Sequence, residues 1–555
     1  MPGLRSNFEP GTTPWAMRRA QWTALGLTDE DFEKPKIAIV NSSSGLASCF
    51  SHLDGVVGPL REAIREAGGI AFEVRTAAPS DVITSAGASG RYILPSRDLI
   101  VADVEVAVEG ALLDGMVCLS SCDKTTPAHL MAAGRLNIPT IVVACGYQPS
   151  GHYRGEHIDF EDVFLYAGHV LAGRMTVEEL AEMSACAITG PGVCTGMGTA
   201  NSMHIATEAM GMALPGSTPV LANSPRMWQT VAEAGRRIVQ MVAEGLRPRD
   251  IMTPPAFRNA IVAILAVAGS VNTLKHLQAV AVEAEQDIDI YAMFEELAPI
   301  VPLLSAVKPN GPRRIDEFEA AGGTRTLLHQ LRSLLDVRQR TVGGSTVGDE
   351  IGGVVGGTDV IRPIDNPLAR HPGIVILKGS LAPDGAVVKR TVADDGLRRF
   401  TGPAKVFRSR QEALDGIRAG DVQPGQVVVL TGLGLRGAPG MGLTSAVVFA
   451  IDGAGLGEHV AVVTDGQMSG LVNKGLTVAE VSPEGAIGGP LGLVHDGDII
   501  HLDVDARAID LDVAAEVLAE RREQLPPLAT PAGCGWLSVY ARTVAPLDQG
   551  ATLAG

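Results

Sequence analysis

Met116-Val117-Cys118-Leu119-Ser120-Ser121-Cys122-Asp123-Lys124-Thr125-Thr126-Pro127 combines an apolar run, a short polar loop and the start of a helical pattern. A run of this kind, bounded by small polar residues, predicts a buried strand. Periodicity then predicts a helix over residues 127–136, with Asp123 as a capping residue. Loops at the carboxyl ends of strands are where α/β proteins place ligands. This loop carries a thiol, a carboxylate and an amine side by side. Thiolate is a soft ligand that selects iron–sulfur clusters or zinc, and carboxylate a hard one that selects magnesium, so the loop is a candidate for two metal centres in one pocket. A strand-to-helix turn with an Asp cap and a buried Cys fits the same residues, and on this stretch alone both readings stand.

Working outward, strands are expected at 37–40, 71–74 and 140–145, and helices at 58–67 and 96–112. That alternation predicts a parallel sheet with crossover helices. Residues 1–35 read as an N-terminal arm with a short helix at 16–24. Residues 36–340 read as an α/β domain whose part from 155 to 335 is mostly helical, with helices at 177–187, 227–244 and 315–335. The glycine-rich run 341–357 opens a linker, taken as 341–372. Beyond it, Val- and Ile-rich segments at 373–377, 386–389, 426–430, 460–463 and 499–504 alternate with Gly, Pro and Asp. They predict a β-rich domain, 373–555, of barrel or sandwich type.

The chain of 555 residues is too long for one core. Its hydrophobic content of 46% with 4% aromatics suits an aliphatic α/β enzyme. A net charge of −17 argues against nucleic acid as a partner. The first residues lack an apolar signal core, and no apolar run approaches the length of a membrane span. Seven Cys in such a chain favour reduced thiols and metal binding over a disulfide framework, so a cytoplasmic location is expected. Two further Cys sit in suggestive places. Cys49 follows the first strand, and Cys194 lies in the glycine-rich Gly192-Val193-Cys194-Thr195-Gly196-Met197-Gly198, where the backbone can approach a ligand closely. Three such Cys make a plausible three-thiolate site, whereas a lone Cys is usually a small buried hydrophobe.

Cys49-x-x-His52-Leu53, Leu94-Pro95-Ser96-Arg97-Asp98, Cys122-Asp123-Lys124-Thr125, Cys194 with Gly196-Met197-Gly198-Thr199-Ala200-Asn201, Gly379-Ser380-Leu381-Ala382-Pro383-Asp384-Gly385 and Thr464-Asp465-Gly466-Gln467-Met468-Ser469-Gly470 occur in this order along nearly the whole chain. Together they resemble the dihydroxy-acid and sugar-acid dehydratase family. The resemblance implies an α/β N-terminal part and a β-barrel-like C-terminal domain with the site between them. It implies a hydro-lyase that converts a 2,3-dihydroxy acid to a 2-keto acid and water. By resemblance, Cys49, Cys122 and Cys194 ligate an iron–sulfur cluster, [2Fe-2S] on the Cys49 pattern with [4Fe-4S] as the alternative. Asp81, Asp123 and a carbamylated Lys124 hold Mg²⁺, and Ser469 is the base. An unmodified, protonated Lys cannot coordinate a metal.

The residues around Asp81 and Arg97 resemble the branched-chain amino-acid biosynthetic branch more than the sugar-acid one, which is the second reading. An inactive, cluster-bearing paralogue is the third. It is motivated by two departures: Leu433 and Leu443 stand where the family pattern has glutamates, and Gly269-Ser270-Val271-Asn272-Thr273-Leu274-Lys275-His276 differs from the family's segment. The implied partners are a small-molecule hydroxy acid and further copies of the chain, as a homodimer or homotetramer, with no nucleic acid and no membrane.

Overall fold

The computed structural model describes residues 3–354, 356–390, 397–472, 474–528 and 534–553. Four strands, β1 (Lys36–Asn41), β2 (Ile70–Arg75), β3 (Gly115–Ser120) and β4 (Thr140–Ala144), form a sheet in the order β2-β1-β3-β4. Every pairing is parallel, with Ile37 opposite both Ala71 and Gly115, and Met116 opposite Thr140. The side chains of Ile37 to Val40 and of Met116 to Leu119 are wholly buried. Strands covered on both faces carry continuous rather than alternating apolar runs, which is why the 116–119 run was legible. Helices Leu53–Glu66 and Pro225–Glu244 pack on each other and on this sheet. Helix Thr125–Leu136 packs on β3 and β4 and against helices Ile93–Val104 and Thr273–Glu283.

The helices expected at 16–24 and 58–67 begin earlier, at Thr13 and Leu53, and two others differ further. The helix predicted at 96–112 begins at Ile93, runs to Val104 and continues as a wider turn over Glu105–Glu109. The one predicted at 315–335 is broken into Ile315–Ala320, Gly323–Gln330 and a tight turn at Arg332–Leu334. Gly322 and Gly323 cause the break: their φ values are 96° and 58°, a region that glycine enters without steric penalty. A Cβ on Gly323 would also lie 2.7 Å from the Thr218 carbonyl. In the glycine-rich run, Val342 is buried; its N–H donates to the Gly211 carbonyl (2.8 Å) and its carbonyl accepts from Arg237 Nε (2.6 Å).

A two-stranded ribbon, β5 (Gly151–Tyr153) and β6 (Glu156–Ile158), precedes the helical region. The C-terminal part holds β7 (Ile374–Leu377), β8 (Gly385–Lys389), β9 (Arg399–Phe407), β10 (Val427–Leu430), β11 (Ala461–Thr464), β12 (Leu476–Ser482), β13 (Ile499–Asp503) and β14 (Ala508–Asp512). They form one sheet in the order β14-β13-β9-β10-β11-β12-β8-β7. A bridge between Lys378, just past β7, and Ala508 of β14 brings its two edges together, so the sheet is a nearly closed barrel. Its four central strands are parallel, with crossover helices Arg410–Ala419 and Ser445–Gly453 after β9 and β10. Inward Val375, Val429, Val463 and Val478 fill the interior. Among the described residues no helix is long and apolar enough to cross a membrane.

Candidate active site

Cys122, Asp123 and Lys124 occupy the loop between β3 and helix Thr125–Leu136. Thr125 shapes this loop: its Oγ1 accepts from the Ser121 N–H (3.0 Å) and donates to the Cys122 carbonyl (2.9 Å). Ser121 Oγ donates to the Cys49 carbonyl, which fastens the loop after β1 against the loop after β3. The two thiols meet there. Contact with the Cys49 side chain, followed by burial, pushes the Cys122 thiol well up from its ordinary value. Burial, then the charge of Asp123, does the same to Cys194. The Cys194 loop is held by Asn201, whose Nδ2 donates to the carbonyls of Cys194 and Gly196 (2.8 Å each). A ring nitrogen of His52 lies 2.7 Å from the Cys145 carbonyl.

Asp123 Oδ1 accepts from the Ala200 N–H (3.0 Å) in the first turn of helix Thr199–Met210. Burial and the neighbouring Asp81 raise its carboxyl to about 6. Asp81 opens a short helix, Asp81–Thr84, and its Oδ2 accepts from Lys124 Nζ (2.8 Å). The buried Asp81 Oδ1 has no partner. Burial lowers the pKa of Lys124, but Asp81 and Asp123 outweigh it and the net direction is up.

Ser469 comes from the other half of the chain, on the segment leaving β11. Asp465 anchors that segment by accepting from the N–H groups of Gly432 (3.0 Å), Leu433 (2.8 Å) and Gly485 (2.9 Å). The Ser469 N–H donates to Ser445 Oγ (2.8 Å), and Ser469 Oγ accepts from the Leu471 N–H (3.3 Å). Asp81, Cys122, Asp123, Lys124, Cys194 and Ser469 all line one cavity of about 200 Å³. Cys49 stands behind it, against Cys122. The remaining wall is mixed: Val82, Ile93, Phe164, Leu443 and Leu471 form its apolar part, and Ser85, Thr199, Asn272 and Gln467 its polar part. The two leucines that depart from the family pattern part company here. Leu443 faces the cavity, whereas Leu433 is buried in the apolar layer with Val428 and Val462.

Among the described residues, no three His, Cys, Asp or Glu side chains converge as a ready-made metal site. The Lys124 ammonium, paired with Asp81, is the cation that answers the two carboxylates. The donor chemistry nevertheless suits the two expected centres: thiols at Cys49, Cys122 and Cys194 for an iron–sulfur cluster, and oxygens at Asp81 and Asp123 for Mg²⁺. The unpartnered Asp81 Oδ1 is the structural sign of a missing cation or donor, since buried polar atoms are normally satisfied.

Three neighbours had no role assigned from the sequence: Asn272 and Lys275 stood there only within the segment 269–276 that departs from the family pattern, and Lys389 was not singled out. Asn272 Nδ2 donates to the Met468 carbonyl (2.9 Å), beside Ser469. Lys275 forms a fully buried ion pair with Glu480 of β12 and donates to Asn272 Oδ1. Lys389 Nζ donates to the Gly470 carbonyl (2.9 Å), and burial lowers its pKa to about 7. The signals for Lys275 were its place in the departing segment 269–276 and a charge inside an apolar helical pattern.

Residues 34–350 match the family model described as dihydroxy-acid/6-phosphogluconate dehydratase N-terminal, and residues 359–551 match its C-terminal counterpart. The dihydroxy-acid dehydratase of Methanococcoides burtonii is 40% identical over 541 residues, 97% of each chain. That of Ignicoccus hospitalis is 40% identical over 542 residues, 97% of this chain and 98% of its own. That of Aquifex aeolicus is 38% identical over 541 residues, 97% of each.

Proposed function

The chain belongs to the dihydroxy-acid/6-phosphogluconate dehydratase family, and from that premise we propose that it is a hydro-lyase that removes water from a 2,3-dihydroxy acid to give a 2-keto acid. What supports this reading is the single cavity that Ser469 shares with two thiols and two carboxylates from the other half of the chain. The C2–H bond breaks with the proton passing to the Ser469 alkoxide, the C3–O bond breaks and the departing hydroxide takes that proton from Ser469 to leave as water, and the resulting enol moves its hydroxyl proton to C3 to become the keto acid. Ser469 must act as an alkoxide, and the hydrogen bond its Oγ accepts from the Leu471 N–H favours the charged form. Cys49, Cys122 and Cys194 would hold the iron–sulfur cluster, and Asp81, Asp123 and a carbamylated Lys124 the Mg²⁺. When bound, the cluster supplies a Lewis acid for the departing hydroxyl and the magnesium a positive charge beside the substrate carboxylate.

The apolar part of the wall favours a branched aliphatic acid over a sugar acid. An aldonate presents a hydroxyl on each further carbon; Ser85, Thr199, Asn272 and Gln467 are the uncharged polar side chains of the lining, and a hydroxyl turned towards Val82, Phe164, Leu443 or Leu471 finds no side-chain hydrogen bond. An unpaired buried hydroxyl costs about 1–3 kcal/mol. The test is anaerobic turnover of the reconstituted enzyme against branched 2,3-dihydroxy acids and aldonates, with iron and sulfide measured in Cys49→Ser, Cys122→Ser, Cys194→Ser and, as a control, in a Ser variant of the exposed Cys534, which does not line the cavity. The expected result is preference for the branched acids, with iron and sulfide lost from the first three variants and kept by the fourth. Preference for aldonates would overturn the substrate reading. A full complement of iron in Cys122→Ser would overturn the ligand set.

A further inference from the structure

A second cavity, of about 300 Å³, lies between the start of helix Ile290–Leu297, the hairpin of β7 and β8, and the C-terminal turn Leu547–Gln549. Two polar atoms in its lining residues are buried without a hydrogen-bond partner: the Tyr291 hydroxyl and Glu480 Oε2. Glu480 is 2% exposed, and its other oxygen is taken by Lys275. Three more carboxylates, Asp289, Asp384 and Asp548, line the cavity. Among the described residues none of these three is paired with a cation of the chain. Lys378, the one lysine in the lining, is turned to Glu295 (2.7 Å).

We propose that this cavity is a binding site for a small cation, either a metal ion or the ammonium group of an organic amine. Buried acceptors without a donor are rare because each loses its hydration without compensation. Here one such acceptor is a carboxylate oxygen, and the surrounding charge is negative once Lys275 and Lys378 are set against their own partners. An anion would be repelled, and a neutral apolar molecule would leave Glu480 Oε2 unsatisfied. A cation answers the carboxylate, takes the Tyr291 oxygen as a neutral ligand or acceptor, and offsets the three aspartates. The bulge in β12 between Ala479 and Ser482 places Glu480 here, with its backbone held at φ 58°.

Two probes of the full-length holoenzyme separate the sources. Crystals soaked in rubidium chloride are examined by anomalous diffraction, and saturation-transfer NMR is recorded with propylammonium chloride. The same measurements are made on Tyr291→Phe and Asp548→Asn, neither of which touches Lys275. Asp548 is exposed, so its replacement leaves the fold in place. A rubidium peak between Tyr291 and Glu480 identifies a metal-ion site. A propylammonium signal identifies an amine site. Either should weaken about tenfold in each variant, the effect of one lost charge-assisted contact. No binding of either probe, or binding unchanged in both variants, overturns the proposal.

Discussion

At the scale of single residues, Ser469 is the proposed base, and its neighbours fix its position. Ser469→Ala is expected to retain fold and iron content and to lose turnover by at least ~10²-fold, the scale of general-base loss. Near-normal turnover would assign proton removal to another group. Gly470 makes a sharper test of position. A Cβ there would lie 2.5 Å from Ser270 Oγ and 2.7 Å from the Thr199 backbone nitrogen. Gly470→Ala must therefore push the Ser469 segment outward. Misplacement on the 1 Å scale lowers turnover by about 10²-fold. The expected outcome is a fall in kcat together with a stability loss of about 1–3 kcal/mol from overpacking, and a kcat equal to wild type would show that the segment yields without consequence for turnover.

At the scale of elements, helix Thr125–Leu136 is buried along nearly its whole length and carries His129, whose Nδ1 lies 2.7 Å from Ser120 Oγ. Burial lowers the pKa of this imidazole from 6.5 to about 3. Its folded pKa lies below its unfolded value, so the neutral ring's contribution is complete above 6.5 and is lost as pH falls towards 3. In that window the unfolded chain binds a proton that the folded chain does not. The stability of the wild type relative to His129→Gln, which keeps an acceptor for Ser120, should fall by about 1.4 kcal/mol per pH unit below 6.5. Urea unfolding at pH 7, 6 and 5 checks this, and parallel curves for the two proteins would refute it. The same elements show what the sequence could disclose. β3 and the Cys122 loop were legible because a continuous apolar run and its flanking polar residues are local signals. β9, β12 and β14 were not. Gly402-Pro403 reads as a turn, Glu480 interrupts the apolar pattern of β12, and β14 carries Asp510 and Asp512. Each is a strand because the barrel supplies its partners, and that information is not local.

At the scale of the whole molecule, the cavity exists only where the two halves meet, and the buried ion pair of Lys275 and Glu480 crosses that boundary. The motif residues near Cys122 and Ser469 could be read one loop at a time. This pair could not, because neither residue signals a partner in the other half of the chain. Both side chains are removed from water, 0% and 1% exposed. Burial lowers the pKa of Lys275, and Glu480 opposes that fall. Such a pair gains little over apolar packing, because desolvation offsets most of the Coulomb attraction, but a single charge left behind is strongly unfavourable. Lys275→Met should therefore destabilise the chain by about 3–5 kcal/mol, whereas Lys275→Met/Glu480→Leu should recover most of that loss. Lys275 also bonds Asn272, which holds the Met468 carbonyl. The double variant should then be stable yet slower, with the loss in kcat rather than KM, since the Ser469 segment is less firmly placed. Urea unfolding and steady-state kinetics on the wild type, both single variants and the double variant complete the cycle. If the two single changes add without interaction, the halves are not coupled through this pair. If the double variant keeps full kcat, the bond through Asn272 has no part in positioning Ser469.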